Sequence, residues 1–332
     1  MQMFHATGED DCLLKRFVFI LRDPGAYAAI YPVFLYLQNS NSCQLFCFDT
    51  AAKMNGKFAI SENAAIQWIE KHISDIDVLI LGTGFHTETE IMLMECCKQY
   101  GICTVAILDY WSNYKTRFAF RGAFMWPDIY VVMDKIAEQE AVVDGVPKSI
   151  IEVLGHPGLD EVLSKRKALQ MQKEEGYVLL LGEPMSGRIA LGYDEEKFFS
   201  DCVDILTTLG KRFSIKFHPR DDAELQRKYS TYRVDGDLLD IASRQDVVIG
   251  MTTIALLHCS LLGKKTGSYQ PGLVCEDGCI SNKLGLSSLI TSREELLSFL
   301  LEPGFDCKMR QRDLIWMDGK STERIACFLE NL

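Results

Sequence analysis

The sequence predicts an α/β protein with two Rossmann-like domains that face a cleft, each built on a doubly wound parallel sheet. Three observations predict this fold class. Short apolar β-rich runs alternate with segments of helical period along nearly the whole chain. The runs are apolar throughout, which is typical of strands covered on both faces. A polar helical segment over residues 159–176 interrupts the alternation, which then restarts, so two sheets are expected.

The first half of the chain contains the first series of candidate strands. The run RFVFIL at 16–21 is followed by the break Asp23-Pro24-Gly25 and by an apolar helix to about residue 37. Ser61 precedes a further helical segment to about residue 72 and can cap it. The other elements expected in this half are strands at 43–49, 77–84, 103–109, 128–134 and 150–155 and a helix at 87–100.

The second half repeats the pattern after the polar segment. Strands are expected at 177–184, 212–219, 246–251 and 265–272, with helices between them and a final helix at 322–332. These changes predict four segments: an N-terminal domain over 1–157, a linker helix over 158–175, a C-terminal domain over 176–318 and a C-terminal helix over 319–332.

Composition excludes several classes of protein. The 332 residues carry a net charge of −11, which argues against nucleic acid as the main partner but leaves room for a local phosphate site. No apolar run approaches the roughly 18 residues that span a bilayer, and the acidic N-terminus does not resemble a signal peptide, so a cytoplasmic location is expected. The twelve cysteines include no paired CxxC sets, so we expect reduced, mostly buried thiols and no metal site.

Polar residues and glycines follow each strand of the second half. Because the carboxyl ends of parallel strands meet at one edge of a sheet, these residues are expected to form one binding site. The candidate residues are Gly182, Ser186, Arg188, His218, Arg220, Gly250, Thr252, Thr253, Ser268 and Gln270.

The turn from Gly250 to Thr253 leads directly into an apolar helix. Unpaired N–H groups and the helix dipole make such a turn suitable for a phosphate, although either threonine could simply cap the helix. His218 and Arg220 follow a neighbouring strand and can add donors, although a single histidine after a strand is often structural. Together these residues predict a pocket for a monophosphate or a diphosphate.

The segments FHPR and GMTTIALLHCSLLGKK resemble the nucleotide-sugar-binding half of GT-B-fold glycosyltransferases, a superfamily that includes the nucleotide-sugar 2-epimerases. Bacterial sialyl- and Kdo-type transferases have similar segments. The resemblance implies that His218, Thr252 and Thr253 hold the donor phosphate. It also implies an N-terminal acceptor domain, a C-terminal nucleotide-sugar domain and a UDP- or CMP-type donor without a further cofactor. In one departure, His258 or Cys259 stands where many members carry an acid that binds ribose.

Glycosyl transfer needs a base for the acceptor hydroxyl. Asp109 at the end of a predicted strand is the first candidate, and His86 and Glu88 are rivals. Each could also have an ordinary structural role: Asp109 as a turn residue, His86 as a loop residue and Glu88 as an acid in the first turn of a helix. Residues suited to binding a saccharide acceptor follow Asp109, unless that loop packs on the core: Trp111, Asn113, Tyr114 and Arg117.

The sequence therefore favours a cytoplasmic glycosyltransferase for surface polysaccharide biosynthesis, inverting and metal-independent, with a nucleotide sugar and a saccharide acceptor as partners. Peripheral membrane association and the oligomeric state stay open. One alternative is a nucleotide-sugar 2-epimerase or hydrolase, and another is a non-catalytic nucleotide-sugar-binding protein. An NAD enzyme is disfavoured because Thr87 stands where a third glycine would follow Gly82 and Gly84.

Overall fold

The computed structural model describes residues 14–84, 88–169, 177–185, 191–302 and 314–332. Contacts divide the chain into two compact units: unit 1 comprises Met1–Gly158 and Asp313–Leu332, and unit 2 comprises Leu159–Arg312. The last helix of the chain thus groups with the N-terminal residues. A contact division describes packing and not independent folding, so the sequence-based domain boundaries stay a prediction.

Unit 1 is built on a parallel sheet. Its strands are β1 (Arg16–Leu21), β2 (Ser42–Cys47), β3 (Val78–Gly82), β4 (Cys103–Ile107), β7 (Ile129–Val132) and β8 (Ile151–Val153), and the hairpin strands β5 (Ala119–Phe120) and β6 (Ala123–Phe124) form a separate antiparallel pair. The sheet order is β2-β1-β3-β4-β7-β8, and every pairing in it is parallel. The chain progresses in one direction from β1 to β2 and in the other from β3 onward, so the topological switch point lies between β1 and β3.

Helices cover both faces of this sheet. They are α1 (Pro24–Leu37), α2 (Asp49–Met54), α3 (Glu62–Lys71), α4 (Glu88–Gln99), α5 (Lys135–Asp144) and α13 (Ser321–Glu330), while α6 (Pro157–Leu169) crosses the boundary between the units. Ser61 caps α3 as predicted, because its side chain accepts the Ala64 N–H. Pro24 begins α1 directly after Asp23, whose side chain accepts the Ala26 N–H.

The alternation of side chains along β1 divides the core of unit 1 in two. Phe17 and Phe19 pack in the cluster that includes α1 and α13, and Val18 and Ile20 pack in the cluster that includes α3 and α4. Strand β1 is therefore buried on both faces, which is why its sequence is continuously apolar.

Unit 2 has the same architecture on a smaller scale. Its strands are β9 (Tyr177–Leu181), β10 (Arg212–Lys216), β11 (Val247–Gly250), β12 (Lys265–Tyr269) and β13 (Ser288–Ile290), and its helices are α7 (Glu195–Thr208), α8 (Ala223–Lys228), α9 (Leu238–Ser243), α10 (Ile254–Leu261), α11 (Ile280–Lys283) and α12 (Arg293–Leu301). The order is β10-β9-β11-β12-β13 with every pairing parallel, so the switch point lies between β9 and β11. The two parallel sheets confirm the predicted α/β fold class.

The structure ends several strands earlier than the sequence predicts. The second strand ends at Cys47, and Asp49 already belongs to α2; the third strand ends at Gly82. The predicted strand at 177–184 ends at Leu181, although the Gly182 N–H still donates to the Lys216 carbonyl at 2.9 Å. The positions beyond these strand ends include polar residues and glycines: Asp49, Thr83, Gly84, Gly182 and Glu183. Strand β13, three residues long, is too short to show a pattern in the sequence.

Among the described residues, no helix is both long enough and apolar enough to cross a membrane. The same part of the chain holds no group of three or more histidine, cysteine or acidic side chains arranged for a metal ion.

Candidate functional site

A cavity of about 440 Å³ opens at the carboxyl ends of β9 and β10 in unit 2. A volume of this size suits a small organic ligand. Its lining residues are Leu181, Gly182, Lys216, Phe217, His218, Pro219, Gln226, Arg233, Asp235, Leu238, Thr253 and Ala255. Three residues predicted to bind the nucleotide sugar, Gly182, His218 and Thr253, therefore line one cavity.

The turn after β10 holds the His218 ring in a fixed arrangement. The Asp221 N–H donates to the His218 carbonyl at 3.0 Å, and the His218 N–H donates to Asp221 Oδ2 at 2.7 Å. The Arg220 N–H donates to Nδ1 of His218 at 3.1 Å. Because Nδ1 accepts, the neutral ring carries its proton on Nε2. The HPRD sequence at this strand end thus makes His218 a hydrogen-bond donor through Nε2.

Burial lowers the pKa of His218, and the positive charge of Arg220 lowers it further, while Glu183 opposes them. A neutral imidazole at pH 7 follows. Burial raises the pKa of Asp221 to about 6, with the His218 N–H opposing and the charges of Glu195 and Glu183 adding. Asp221 Oδ1 is buried and has no hydrogen-bond partner among the described residues.

The Thr252 donors predicted for a phosphate are occupied by a carboxylate of the protein itself. The Thr252 N–H and hydroxyl each donate to Glu183, at 2.7 Å in both cases. Glu183 follows β9 and Thr252 follows β11, so this bond closes the switch point of unit 2. The hydroxyl of Thr253 accepts the Ala255 N–H at 3.3 Å, which is the helix-capping role that the sequence left open.

Ser268 and Gln270 lie in the interior of unit 2 with no exposed surface. Ser268 donates to the Met251 carbonyl, and the Gln270 amide donates to Ser268 Oγ at 2.9 Å and to Asp277 Oδ1 at 2.6 Å. These contacts hold the turn that follows β11. The structure thus gives both residues a supporting role and no open face for a ligand.

Three other residues of unit 2 that were predicted to bind the nucleotide sugar lie among the described residues. A Cβ added at Gly182 would lie 1.9 Å from Asp221 Oδ2, so only glycine fits beside that carboxyl group. Gly250 ends β11 and packs against the start of α10. Arg220 is exposed and is not among the residues lining the cavity. Ser186 and Arg188 lie outside the described residues.

In unit 1, Asp109 follows β4 and is held by Arg117. Arg117 Nη1 donates to Asp109 Oδ1 at 2.7 Å and to the hydroxyl of Thr83 at 3.1 Å, and its Nε donates to the Ser112 carbonyl at 3.1 Å. The side chains of Arg117 and Asp109 are 7% and 13% exposed. Arg117, predicted to bind an acceptor, thus orients the predicted base instead.

Asp23, which the sequence suggested only as part of a break, is the neighbour of Asp109. A Cβ added at Gly25 would lie 2.0 Å from Asp109 Oδ2 and 3.2 Å from Asp23 Oδ1, so both carboxyl groups border the same small space. Burial raises the pKa of Asp23, and the charge of Asp109 raises it further, while the Ala26 N–H and Arg117 oppose. No local sequence signal pairs these two residues, because 86 positions separate them along the chain.

Two predicted acceptor-binding residues are buried. Trp111 donates from Nε1 to Asp134 Oδ2 at 2.8 Å, and Trp316 donates to the same oxygen at 3.0 Å. The Tyr114 hydroxyl donates to Glu140 at 2.6 Å. The loop therefore packs on the core through Trp111, which is the alternative that the sequence left open. The placement of these two rings does not support the prediction that they face an acceptor.

The remaining candidates are dispersed. Asn113 is exposed, with a left-handed φ of 57°. Glu88 is an exposed first-turn acid of α4. His86 lies outside the described residues. The structure thus brings Asp109 together with Arg117 and Asp23, and not with the rival bases.

Comparison with known proteins identifies structural likeness only. No family model and no curated protein matches the sequence. Among solved structures, the chain is similar to UDP-GlcNAc 2-epimerase from Methanocaldococcus jannaschii, with a TM-score of 0.69 and 12% identity over 96% of this chain and 100% of that one. The S. aureus MnaA–UDP structure gives 0.66 and 11%, over 96% of both chains. The Neisseria meningitidis UDP-GlcNAc 2-epimerase bound to UDP-GlcNAc gives 0.63 and 10%, over 96% and 100%. The chain therefore has the fold of the superfamily of GT-B transferases and 2-epimerases that its sequence resembles.

Proposed function

We propose that this protein processes a nucleotide sugar and inverts the configuration at C2 of the sugar. The observation that carries the proposal is the likeness to UDP-GlcNAc 2-epimerases, which extends over 96% of the chain and includes both units. The glycosyltransferase favoured by the sequence stays a prediction. The burial of Trp111 and Tyr114 removes two of its four proposed acceptor contacts.

The cavity of unit 2 is proposed as the nucleotide site. Its apolar lining includes Leu181, Phe217 and Leu238, which suits a heterocyclic base. His218 presents an N–H donor, which suits a phosphate oxygen. With Thr252 already bonded to Glu183, we assign the main phosphate contact to His218 and not to Thr252.

Inversion at C2 requires a group that removes the C2 proton. As that proton leaves, the C1–O bond to phosphate can break, with its electrons going to the nucleotide and a double bond forming between C1 and C2. The nucleotide oxygen then bonds to C1 again on its original face, and a proton adds to C2 on the face opposite to the one it left, which gives the C2 epimer. Asp109 is proposed as the base, because Arg117 fixes its carboxylate at a sheet edge where ligands bind in this architecture.

The test is incubation of the purified protein with UDP-GlcNAc in D2O, followed by ¹H NMR. We expect the C2 epimer to accumulate without any acceptor and to carry one deuterium at C2. The Asp109→Asn variant should lose about 10² to 10⁴-fold in rate. The Asp194→Asn variant removes an exposed helix-capping acid and should match the wild type.

Other outcomes identify the alternatives. Release of UDP and free sugar without an epimer indicates a hydrolase. Consumption only when a saccharide acceptor is added indicates a glycosyltransferase. Binding of UDP without any turnover indicates a binding protein, and each of these three results would overturn the epimerase proposal.

A further inference from the structure

We propose that His156 is a positioning residue, which holds the candidate base Asp109 in place. The proposal rests on the function proposed above, because His156 acts only through that base. His156 lies between β8 and α6, and Asp109 follows β4, 47 positions earlier in the chain. In the sheet of unit 1, β7 separates these two strands, so the His156 ring reaches Asp109 past the carboxyl end of β7.

The imidazole of His156 binds the main chain of Asp109. Its Nε2 atom lies 2.9 Å from the Asp109 carbonyl oxygen. Because a carbonyl oxygen can only accept, Nε2 carries a proton and donates it to this bond. The carboxylate of the same residue is held by Arg117 at 2.7 Å. Asp109 is therefore fixed at two points, its side chain by Arg117 and its main chain by His156.

The ring of His156 is itself fixed by a neighbouring indole. It is buried and lies parallel to the Trp111 ring, with an angle of 10° between the planes and 5.8 Å between the centroids. Trp111 in turn donates to Asp134 Oδ2 at 2.8 Å. Since Trp111 lies two residues after Asp109, His156 contacts the loop of the candidate base in two places.

The residues that follow His156 leave room for its ring. A Cβ added at Gly158 would lie 3.1 Å from Cε1 of His156 and 3.1 Å from the Ala28 carbonyl oxygen. A side chain at residue 158 would therefore press on the ring or on α1. Pro157 begins α6 directly after His156, and its fixed φ suits the first position of a helix. The Gly155–Gly158 segment thus presents the ring from a defined helix start.

The choice of histidine at this position has a physical reason. An apolar side chain could pack against Trp111 without the free-energy cost of burying a polar ring. Histidine adds the hydrogen bond to the Asp109 carbonyl. A catalytic group has to be held within about 0.5 Å of its productive geometry, and a displacement of about 1 Å can lower the rate about 10²-fold. Loss of the bond should therefore lower kcat and leave KM nearly unchanged.

The experiment compares the wild type, His156→Leu and His156→Gln on UDP-GlcNAc, with each rate referred to the folded fraction of the protein. We expect His156→Leu to lower kcat for the epimer about 10 to 100-fold, with KM changed less than about threefold. The amide of glutamine presents an N–H donor at about the reach of Nε2, so His156→Gln should restore kcat to within about threefold of the wild type.

A double-mutant cycle separates positioning from a general structural effect. In the Asp109→Asn background, the base that His156 positions is already removed. Addition of His156→Leu should therefore lower the residual rate by less than about twofold. A loss of active protein or of substrate binding would instead lower the rate by the same factor in both backgrounds.

His72→Leu is the matched control, because this histidine has the same kind of contacts away from Asp109. Its Nδ1 lies 2.7 Å from the Trp68 carbonyl oxygen and its ring stacks on Trp68, with 4.3 Å between the centroids. It follows α3 as the C-terminal cap residue. We expect His72→Leu to keep the kcat of the wild type.

The outcomes distinguish this inference from the proposed function. Three results would overturn the role of His156 while epimerisation by the wild type stands: a wild-type kcat in folded His156→Leu, an equal loss in both Asp109 backgrounds, or no recovery in His156→Gln. A wild-type rate in Asp109→Asn would remove the base, and the inference with it. Absence of wild-type turnover would overturn the proposed function and this inference together.

Discussion

His218 and Asp221 show how a four-residue turn can prepare one side chain for a ligand. Asp221 holds the backbone of His218 through the 2.7 Å bond to its N–H, and the N–H of Arg220 fixes the ring through Nδ1. Because Nδ1 accepts a hydrogen bond within the turn, the neutral ring carries its proton on Nε2 and presents that N–H as a donor. The order His-Pro-Arg-Asp therefore has a local physical reason.

The raised pKa of Asp221 makes stability depend on pH. Because the folded-state pKa is about 6 against an ordinary value of 3.8, the folded protein retains a proton that the unfolded chain releases. The stability this contributes is present below about pH 4 and is lost as pH rises through about 6. Between pH 4 and pH 7.5 the wild type loses this contribution, whereas the Asp221→Asn variant has no such group to titrate. The unfolding free energy of the variant, measured relative to that of the wild type, should therefore rise by roughly 2 kcal/mol from pH 4 to pH 7.5.

Urea denaturation at both pH values measures this difference. An equal difference between variant and wild type at pH 4 and pH 7.5 would show that Asp221 titrates normally.

At the scale of elements, two glycines leave room for a carboxyl group from a neighbouring loop, one at the end of a strand and one at the start of a helix. Gly182 continues β9 directly beside the turn that follows β10, and its missing side chain leaves room for the Asp221 carboxyl group. In unit 1, Gly25 in the first turn of α1 leaves the same kind of room for Asp109.

Substitution of Gly182 tests this packing. A Cβ there would lie 1.9 Å from Asp221 Oδ2 and 2.9 Å from the His218 nitrogen, so Gly182→Ala must displace the turn. We expect a loss of about 1–3 kcal/mol in unfolding free energy together with weaker UDP binding. Gly56→Ala is the matched control, because nothing lies within 4 Å of the added Cβ. Equal stability of the two variants would contradict the proposed packing.

Local patterns predict the elements better than they predict the site. The apolar runs predict the strands, and the HPRD turn is visible in the sequence because its hydrogen bonds span only three residues. Glu183 and Thr252 are 69 residues apart, so their bond depends on the sheet order and has no local signal. Likewise the partners of Trp111 in the core, Asp134 and Trp316, are distant in sequence. The sequence around Trp111 therefore does not show that its ring is buried, and it was predicted to bind an acceptor.

At the scale of the whole molecule, each unit places its first strand second from one edge of its sheet. The switch point therefore lies beside the first strand in both, and an acidic residue follows that strand in each: Asp23 after β1 and Glu183 after β9. The two acids have different tasks. Glu183 closes the unit 2 switch point through Thr252, whereas Asp23 lies beside the candidate base of unit 1.

The proposed function requires the unit 2 cavity to bind a nucleotide phosphate through His218. Calorimetric titration of UDP and uridine into the wild type and His218→Ala tests it most directly. Loss of one hydrogen bond to a charged group costs about 1.5–3 kcal/mol, so UDP should bind roughly 10 to 150-fold more weakly to the variant, with uridine changed little. Equal UDP affinity in both proteins, or an equal loss for UDP and uridine, would contradict the claim.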